Sequence, residues 1–288
     1  MRCPGPLLIA SNHPNSFLDA IILATLFKNP IHSLARGDAF KGKFISRILA
    51  SLNMLPVYRV SEGVENLEHN YSTYDACQDI FRKDGIVLIF SEGRCINEWH
   101  LRPLKKGTAR LAFSAWQQNI PLKVLPLGIN YNSFRKFGKI IRLNFGNFIT
   151  PEQVNSNFQS GKAVNDFNGK LHQQLQELVY EIEPGNYEKF KKHFFLRRPI
   201  FKNIILFIPA ILGYFIHFPL YSLIHYFIKN KAGDHYDSLV VGLLFFAYPI
   251  YVLLLTLIVF LIIQNWSAFF LLLFIPATLF CALHFQKN

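Results

Sequence analysis

The last 88 residues of this 288-residue chain almost lack charge, with four Lys and Arg and two Asp and Glu, against 26 and 16 in the first 200. A stretch so poor in charge cannot present the polar surface of a soluble domain. Acidic residues are missing from a second place: positions 101–150 hold nine Lys and Arg and no Asp or Glu. Cysteine is scarce, and Cys3, Cys77, Cys95 and Cys281 are scattered without any Cys-x-x-Cys or Cys/His spacing. That pattern speaks against a metal site and against a disulfide framework, and reduced thiols fit a cytoplasmic setting. No secretory signal peptide, internal repeat or low-complexity linker is visible. Met1 falls almost directly before the first strand-like run, which leaves open a strand or helix ahead of it.

What the carboxyl-terminal part has instead is long apolar tracts. Segments 204–228, 239–263 and 266–285 each reach about the twenty residues that carry a helix across a hydrocarbon core. Pro209, Gly213, His217 and Pro219 interrupt the first, so a kinked helix and a re-entrant hairpin are both open. Only Gln264 and Asn265 separate the second from the third, which suggests a tight antiparallel hairpin. Arg197, Arg198 and Lys202 precede the first tract. By the positive-inside rule they place the first 200 residues on the cytoplasmic side of a multi-pass integral membrane protein.

Apolar runs alternate with helical patterns through the charged part. Strands are expected at Leu7–Ser11, Ile31–Arg36, Leu55–Tyr58, Ile86–Phe90, Lys123–Tyr131 and Ile140–Phe145. Helices are expected near Ser16–Lys28, Phe40–Leu52, within Glu62–Lys83, near Lys106–Gln118 and near Ala163–Ile182. The last carries a stripe of Phe167, Leu171, Leu175, Leu178 and Ile182. The alternation predicts an α/β domain with a mostly parallel sheet flanked by helices over 1–195, followed by a helical membrane region over 196–288.

Five short stretches carry residues with chemistry. In Asn12-His13-Pro14-Asn15-Ser16, a strand meets a polar turn, and Asp19 follows six residues after His13. On one helix that spacing is about 600°, which turns the two side chains roughly 120° apart. They meet only if His13 lies in the turn and Asp19 in the first helical turn, with Asn15 or Ser16 as N-cap. A carboxylate on one imidazole nitrogen fixes the tautomer and stabilises the cation when the other takes a proton, which suits deprotonation of a hydroxyl. The plain alternative is a capping Asp beside a turn His. Phe90-Ser91-Glu92-Gly93-Arg94 places a carboxylate and a guanidinium at a strand's carboxyl end, where open α/β sheets bind ligands, and Arg94 could grip phosphate bidentately. Pro56-Val57-Tyr58-Arg59 ends a strand in arginine, Lys105-Lys106-Gly107-Thr108 opens a helix, and Pro126 interrupts the strand Val124-Leu125-Pro126-Leu127-Gly128. Singly these read as solvated charges and an edge proline.

In this order, the stretches resemble the PlsC-like glycerolipid acyltransferase family, which includes glycerol-3-phosphate and lysophosphatidic acid acyltransferases. The similarity covers about residues 5–150. Asn12 and His13 with Asp19 match the family's catalytic block, Arg59 its acceptor-binding arginine, Phe90-Ser91-Glu92-Gly93-Arg94 its Phe-Pro-Glu-Gly block and Pro126 the proline of its fourth. Three departures stand out. Five residues separate His13 from Asp19 where four are usual, Ser91 replaces proline, and Arg94 follows Gly93 directly. The apolar tracts also lie after the domain, where an amino-terminal anchor is more usual.

The resemblance implies that a fatty acyl group moves from acyl-CoA or acyl-acyl carrier protein to a hydroxyl of glycerol-3-phosphate or a lysophospholipid. His13 would be the base and Asp19 its orienting partner, while Asn12, Arg59, Glu92, Gly93, Arg94, Lys105, Lys106 and Pro126 would bind substrate. It implies no metal and no organic cofactor. The expected partners are the acyl carrier, the phosphate-bearing acceptor and the bilayer, while nucleic acid is set aside. The competing readings are a phospholipid transacylase or remodelling enzyme, and a lipid-binding membrane adaptor without turnover.

Overall fold

The structure is a computed structural model and describes residues 5–58, 69–154, 158, 160–195, 200–230 and 233–285. Arg59, Cys3, Arg197 and Arg198 lie outside the described residues, as does the start of the helix expected within Glu62–Lys83. Contacts divide the chain into two compact units, Met1–Asn130 with Arg142–Glu183, and Tyr131–Ile141 with Pro184–Asn288. Segments Tyr131–Ile141 and 184–195, placed in the first domain by sequence, group with the second unit.

The first unit is built on strands β1 (Leu7–Ser11), β2 (Ile31–Arg36), β3 (Met54–Val57), β4 (Ile86–Phe90), β5 (Lys123–Tyr131) and β6 (Ile141–Phe145). Its helices are α1 (Phe17–Ala24), α2 (Lys43–Ser51), α3 (His69–Arg82), α4 (Gly107–Gln117) and α5 (Gly161–Leu178). The strands form one six-stranded sheet in the order β3-β2-β4-β1-β5-β6. Strand β1 pairs in parallel with both β4 and β5, and β2 with both β3 and β4. Gly146 N–H donates to the Pro126 carbonyl, so β6 closes the far edge as an antiparallel return from β5. Every residue of Leu7–Ser11 is buried, as suits a run apolar up to its last residue between two parallel neighbours in a sheet covered on both faces.

The order fixes where a ligand can sit. From β1 the chain moves past β4 to β2, whereas from β4 it moves past β1 to β5. Right-handed crossovers then put the helices of these two connections on opposite faces. The core agrees: Leu8 and Ala10 of β1 join Val87 and Ile89 of β4 in one cluster with side chains of α3, α4 and α5. Adjacent strands whose connections leave in opposite directions open a crevice at their carboxyl ends, here at Ser11 and Phe90, which are register partners.

Helix α5 stops at Leu178, short of the Ile182 expected. The side-chain amides of Asn130 and Asn144 both donate to the Leu178 carbonyl, at 2.9 and 2.7 Å, and Tyr180 N–H donates to Asn130 Oδ1. Those bonds take up the helix's terminal groups and turn the chain into an extended Val179. Helix α2 presents Phe44, Ile45 and Ile48 to solvent beside Lys43 and Arg47.

The second unit contains α6 (Tyr187–Phe194), α7 (Ile200–Ile228), α8 (Tyr236–Ile263) and α9 (Leu271–Phe285). Sequence patterning missed α6, because its basic residues hide the apolar Phe190 and Phe194 at i, i+4; its N-cap is Asn186, which accepts from Lys189 N–H. Segments Ile204–Ile228, Gly233–Ile263 and Trp266–Phe285 are long and apolar enough to cross a membrane. The first is one continuous helix that holds both Pro209 and Pro219, so the re-entrant hairpin is not formed. The turn at Gln264 and Asn265 sets Phe260 against Trp266 and Phe269. Helix α9 then packs antiparallel along α7: Phe207 meets Phe285, and His217 Nε2 lies 3.2 Å from the Ile275 carbonyl. Between them, Gly213 lets the backbones approach, since a Cβ there would stand 2.3 Å from the Thr278 carbonyl oxygen. The first half of α8 is antiparallel to α7 as well, with Leu220, Ile224 and Ile228 packed on Tyr236 and Val240.

Candidate active site

The crevice at the carboxyl ends of β1 and β4 is filled by the turn that follows β1. Ser11 ends the strand, its hydroxyl donating to the Leu127 carbonyl at 2.8 Å. Asn12 is buried and bonds the backbone of β5 at both ends of its amide: Nδ2 donates to the Ile129 carbonyl at 3.0 Å, and Oδ1 accepts from Ile129 N–H at 2.8 Å. Asn12 therefore ties two strands together and fixes where the next residue emerges.

That residue is His13. Its Nδ1 lies 2.9 Å from Asp19 Oδ2. The Asp19 side chain is fully buried, and the His13 side chain keeps 16% of its surface exposed. The same Oδ2 accepts from Asn15 N–H at 2.8 Å, so the carboxylate is clamped between the turn and the imidazole. The ring stacks on Phe90 with centroids 3.7 Å apart and planes 10° from parallel. With Nδ1 held by Asp19, Nε2 is the nitrogen left to exchange a proton.

The turn between His13 and Asp19 is made at Ser16, the N-cap of α1, whose φ of 53° and ψ of −138° are strained for any residue with a Cβ. Ser16 N–H donates to Cys95 Sγ at 2.9 Å, and Asn97 Nδ2 donates to the Pro14 carbonyl at 2.7 Å. The loop after β4 thus holds the turn after β1 in place.

Glu92 does the same from beneath. It is 5% exposed, and its two carboxylate oxygens accept from His13 N–H at 2.8 Å and Arg102 N–H at 2.9 Å. Burial pushes its pKa up, while the Arg102 and His13 N–H bonds pull the other way. Each oxygen thus bonds one backbone N–H, so Glu92 orients His13. Gly93 takes the turn at φ 67°, and a Cβ there would meet Lys105 Cγ at 3.0 Å. Ser91 explains its own departure from proline. Its N–H donates to the Ser11 carbonyl at 2.8 Å, a bond proline cannot make, and its hydroxyl accepts from Thr108 Oγ1.

The remaining sequence-selected residues fall in two places. Arg94, Lys105 and Lys106 are exposed on the loop between Gly93 and α4, with Lys105 N–H donating to the Ser91 carbonyl at 2.8 Å. Pro126 is buried within the sheet opposite Ala10. Among the described residues, no group of three or more His, Cys, Asp and Glu could hold a metal ion.

Comparison with known proteins gives three findings. Residues 2–130 match the model of the Acyltransferase family. No curated protein matches. Among solved structures, the 1-acyl-sn-glycerophosphate (LPA) acyltransferase PlsC from Thermotoga maritima matches at 14% identity and a TM-score of 0.41, over 60% of this chain and 66% of that one, just under two thirds of its length.

Proposed function

We propose, from the match of residues 2–130 to the Acyltransferase family model, that the protein transfers a fatty acyl group from a thioester to a hydroxyl of glycerol-3-phosphate or a lysophospholipid. The donor is acyl-CoA or acyl-acyl carrier protein. The observation that carries the reading is the 2.9 Å contact of His13 Nδ1 with buried Asp19, at the mouth of the crevice.

In this mechanism, Nδ1–H donates to Asp19 and Nε2 takes the proton of the acceptor hydroxyl as its oxygen attacks the thioester carbonyl. The tetrahedral intermediate collapses, the C–S bond breaks, and the imidazolium returns the proton to the leaving thiolate. Asn12 and Glu92 hold His13 in place through their backbone bonds. Arg94, with Lys105 or Lys106, binds the acceptor phosphate, and Arg59 shares that task. Cys95 takes no covalent part.

Amphiphilic substrates explain why such a domain is joined to long apolar helices. The exposed apolar face of α2, set between Lys43 and Arg47, suits the surface of an anionic bilayer. A plain alternation of three spans would make α7 and α9 parallel. Their antiparallel packing supports a path in which α8 and the turn after it return the chain. Position 200 and the carboxyl terminus then share the cytoplasmic side with residues 1–195. Reporter fusions at position 285 and at the amino terminus should label from the same side; labelling from opposite sides contradicts this path.

The reading is tested with purified protein, labelled palmitoyl-CoA and a panel of glycerol-3-phosphate, lysophosphatidic acid, lysophosphatidylcholine and the phosphate-free acceptor monoacylglycerol. Thiol should be released only with a phosphate-bearing acceptor, and mass spectrometry should show the acyl ester. Ester formed from a phospholipid donor without any thioester would establish a transacylase instead. Binding of the panel without any product would establish an adaptor.

A further inference from the structure

The second unit carries a half-open cavity of about 1370 Å³ that the proposed chemistry does not use. It is larger than the roughly 300–1,000 Å³ of ordinary small-molecule pockets. All three long apolar segments line it, with Tyr214 and Phe218 from α7, Leu244 from α8 and Leu279 from α9. Its remaining wall comes from the 132–140 segment and α6, and contributes Arg135, Lys136 and Lys191.

Charge and apolarity are therefore separated by segment. No carboxylate lines the cavity among the described residues. The other cation of the wall, Lys139, is already neutralised by Asp237. Arg135, Lys136 and Lys191 are exposed and make no ion pair among the described residues, while Arg135 lies over the Tyr236 ring and Lys191 over the Phe195 ring. Apolar side chains on helices suited to a bilayer, with unpaired cations on the flanking segments, complement an amphiphile with an anionic head and acyl chains. A guanidinium with two ammonium groups is phosphate-binding chemistry.

We propose that this cavity binds one anionic glycerophospholipid drawn from the membrane, with its phosphate at Arg135, Lys136 and Lys191 and its acyl chains among Tyr214, Phe218, Leu244 and Leu279. The site is separate from His13 and does no chemistry. The long helices bury only 11–22% of their most apolar windows within the protein, so a lipid can enter sideways from the bilayer.

The test uses the full-length protein in detergent, with dioleoyl phosphatidylglycerol and dioleoyl phosphatidylcholine as probes and native mass spectrometry as readout. Wild type should retain one phosphatidylglycerol per chain, with at least tenfold preference over phosphatidylcholine. Lys136→Glu with Lys191→Glu should remove the preference, and Leu244→Trp should reduce retention of either lipid. Both charge reversals sit at exposed positions, so they keep the test sound should Leu244→Trp fail to fold. His13→Ala should still retain phosphatidylglycerol, which separates this site from the acyl-transfer reading. Equal retention of both lipids would overturn the proposal, as would charge reversal without effect. So would displacement by oleoyl-CoA but not by phosphatidylglycerol, because the occupant would then be an acyl donor.

Discussion

The turn after β1 and the cavity of the second unit both set charged groups beside apolar walls, and they treat those groups in opposite ways. Around His13 the protein supplies its own partners: Asp19 bonds the imidazole, Glu92 bonds two backbone N–H groups, and Asn12 bonds Ile129 twice. In the cavity, Arg135, Lys136 and Lys191 have no acidic partner among the described residues. The first arrangement is complete before a substrate arrives, as catalysis by a positioned base requires. The second is complete only with an anion. A fixed network suits chemistry, and an unbalanced cationic rim suits binding.

The comparison breaks most sharply at Asp19. Asp19→Asn should lower the acyl-transfer rate by about 10²–10⁴-fold, because the imidazolium loses its counter-charge and its tautomer is no longer fixed. Initial rates of thiol release measure it, and a loss of less than about threefold would place Asp19 as a helix cap only. Asn12→Ala comes next. It leaves the Ile129 N–H and carbonyl without their side-chain partner and should cost about 1–3 kcal/mol of stability, read as a lower thermal midpoint together with a lower rate. An unchanged midpoint would remove Asn12 from the positioning role.

Glu92 gives a subtler effect, in pH. Burial raises its pKa from the ordinary 4.5, so the folded protein takes up that proton more readily than the unfolded chain. The stability it contributes is present below the ordinary value and is lost as pH rises through the raised folded value. The melting temperature of wild type relative to Glu92→Gln should therefore rise as pH falls through that window; a difference that shrinks instead would contradict the burial argument. The smallest effect is expected at Cys95, whose Sγ accepts from Ser16 N–H. Cys95→Ala should keep turnover within about threefold of wild type. Abolished turnover would indicate a covalent acyl-enzyme.

Much of the first unit was legible because its strands are short apolar runs between polar turns. Leu7–Ser11, Ile31–Arg36 and Ile86–Phe90 carry the same bounds in the sequence reading and in the structure. The insertion of β4 between β1 and β2 was not legible, since pairing order is set by contacts far apart in sequence. The His13–Asp19 contact was foreseeable, because one spacing allows it only through a broken turn. The backbone hydrogen bonds of Asn12 and Glu92 were not, because a side chain that bonds backbone leaves no periodicity. Helix α6 was hidden for a different reason: Lys189, Lys191 and Lys192 outweigh two phenylalanines. The antiparallel pairing of α7 with α9 left no sign in hydropathy, which records length and apolarity and not direction.

The central claim is that His13 is the base of an acyl transfer. Its most direct measurement is the rate of thiol release from palmitoyl-CoA in the presence of the preferred acceptor, for wild type and His13→Ala at equal folded concentration. The account predicts that His13→Ala loses at least about 10²-fold while its thermal midpoint and its retention of phosphatidylglycerol stay near those of wild type. Turnover of His13→Ala close to that of wild type would contradict it.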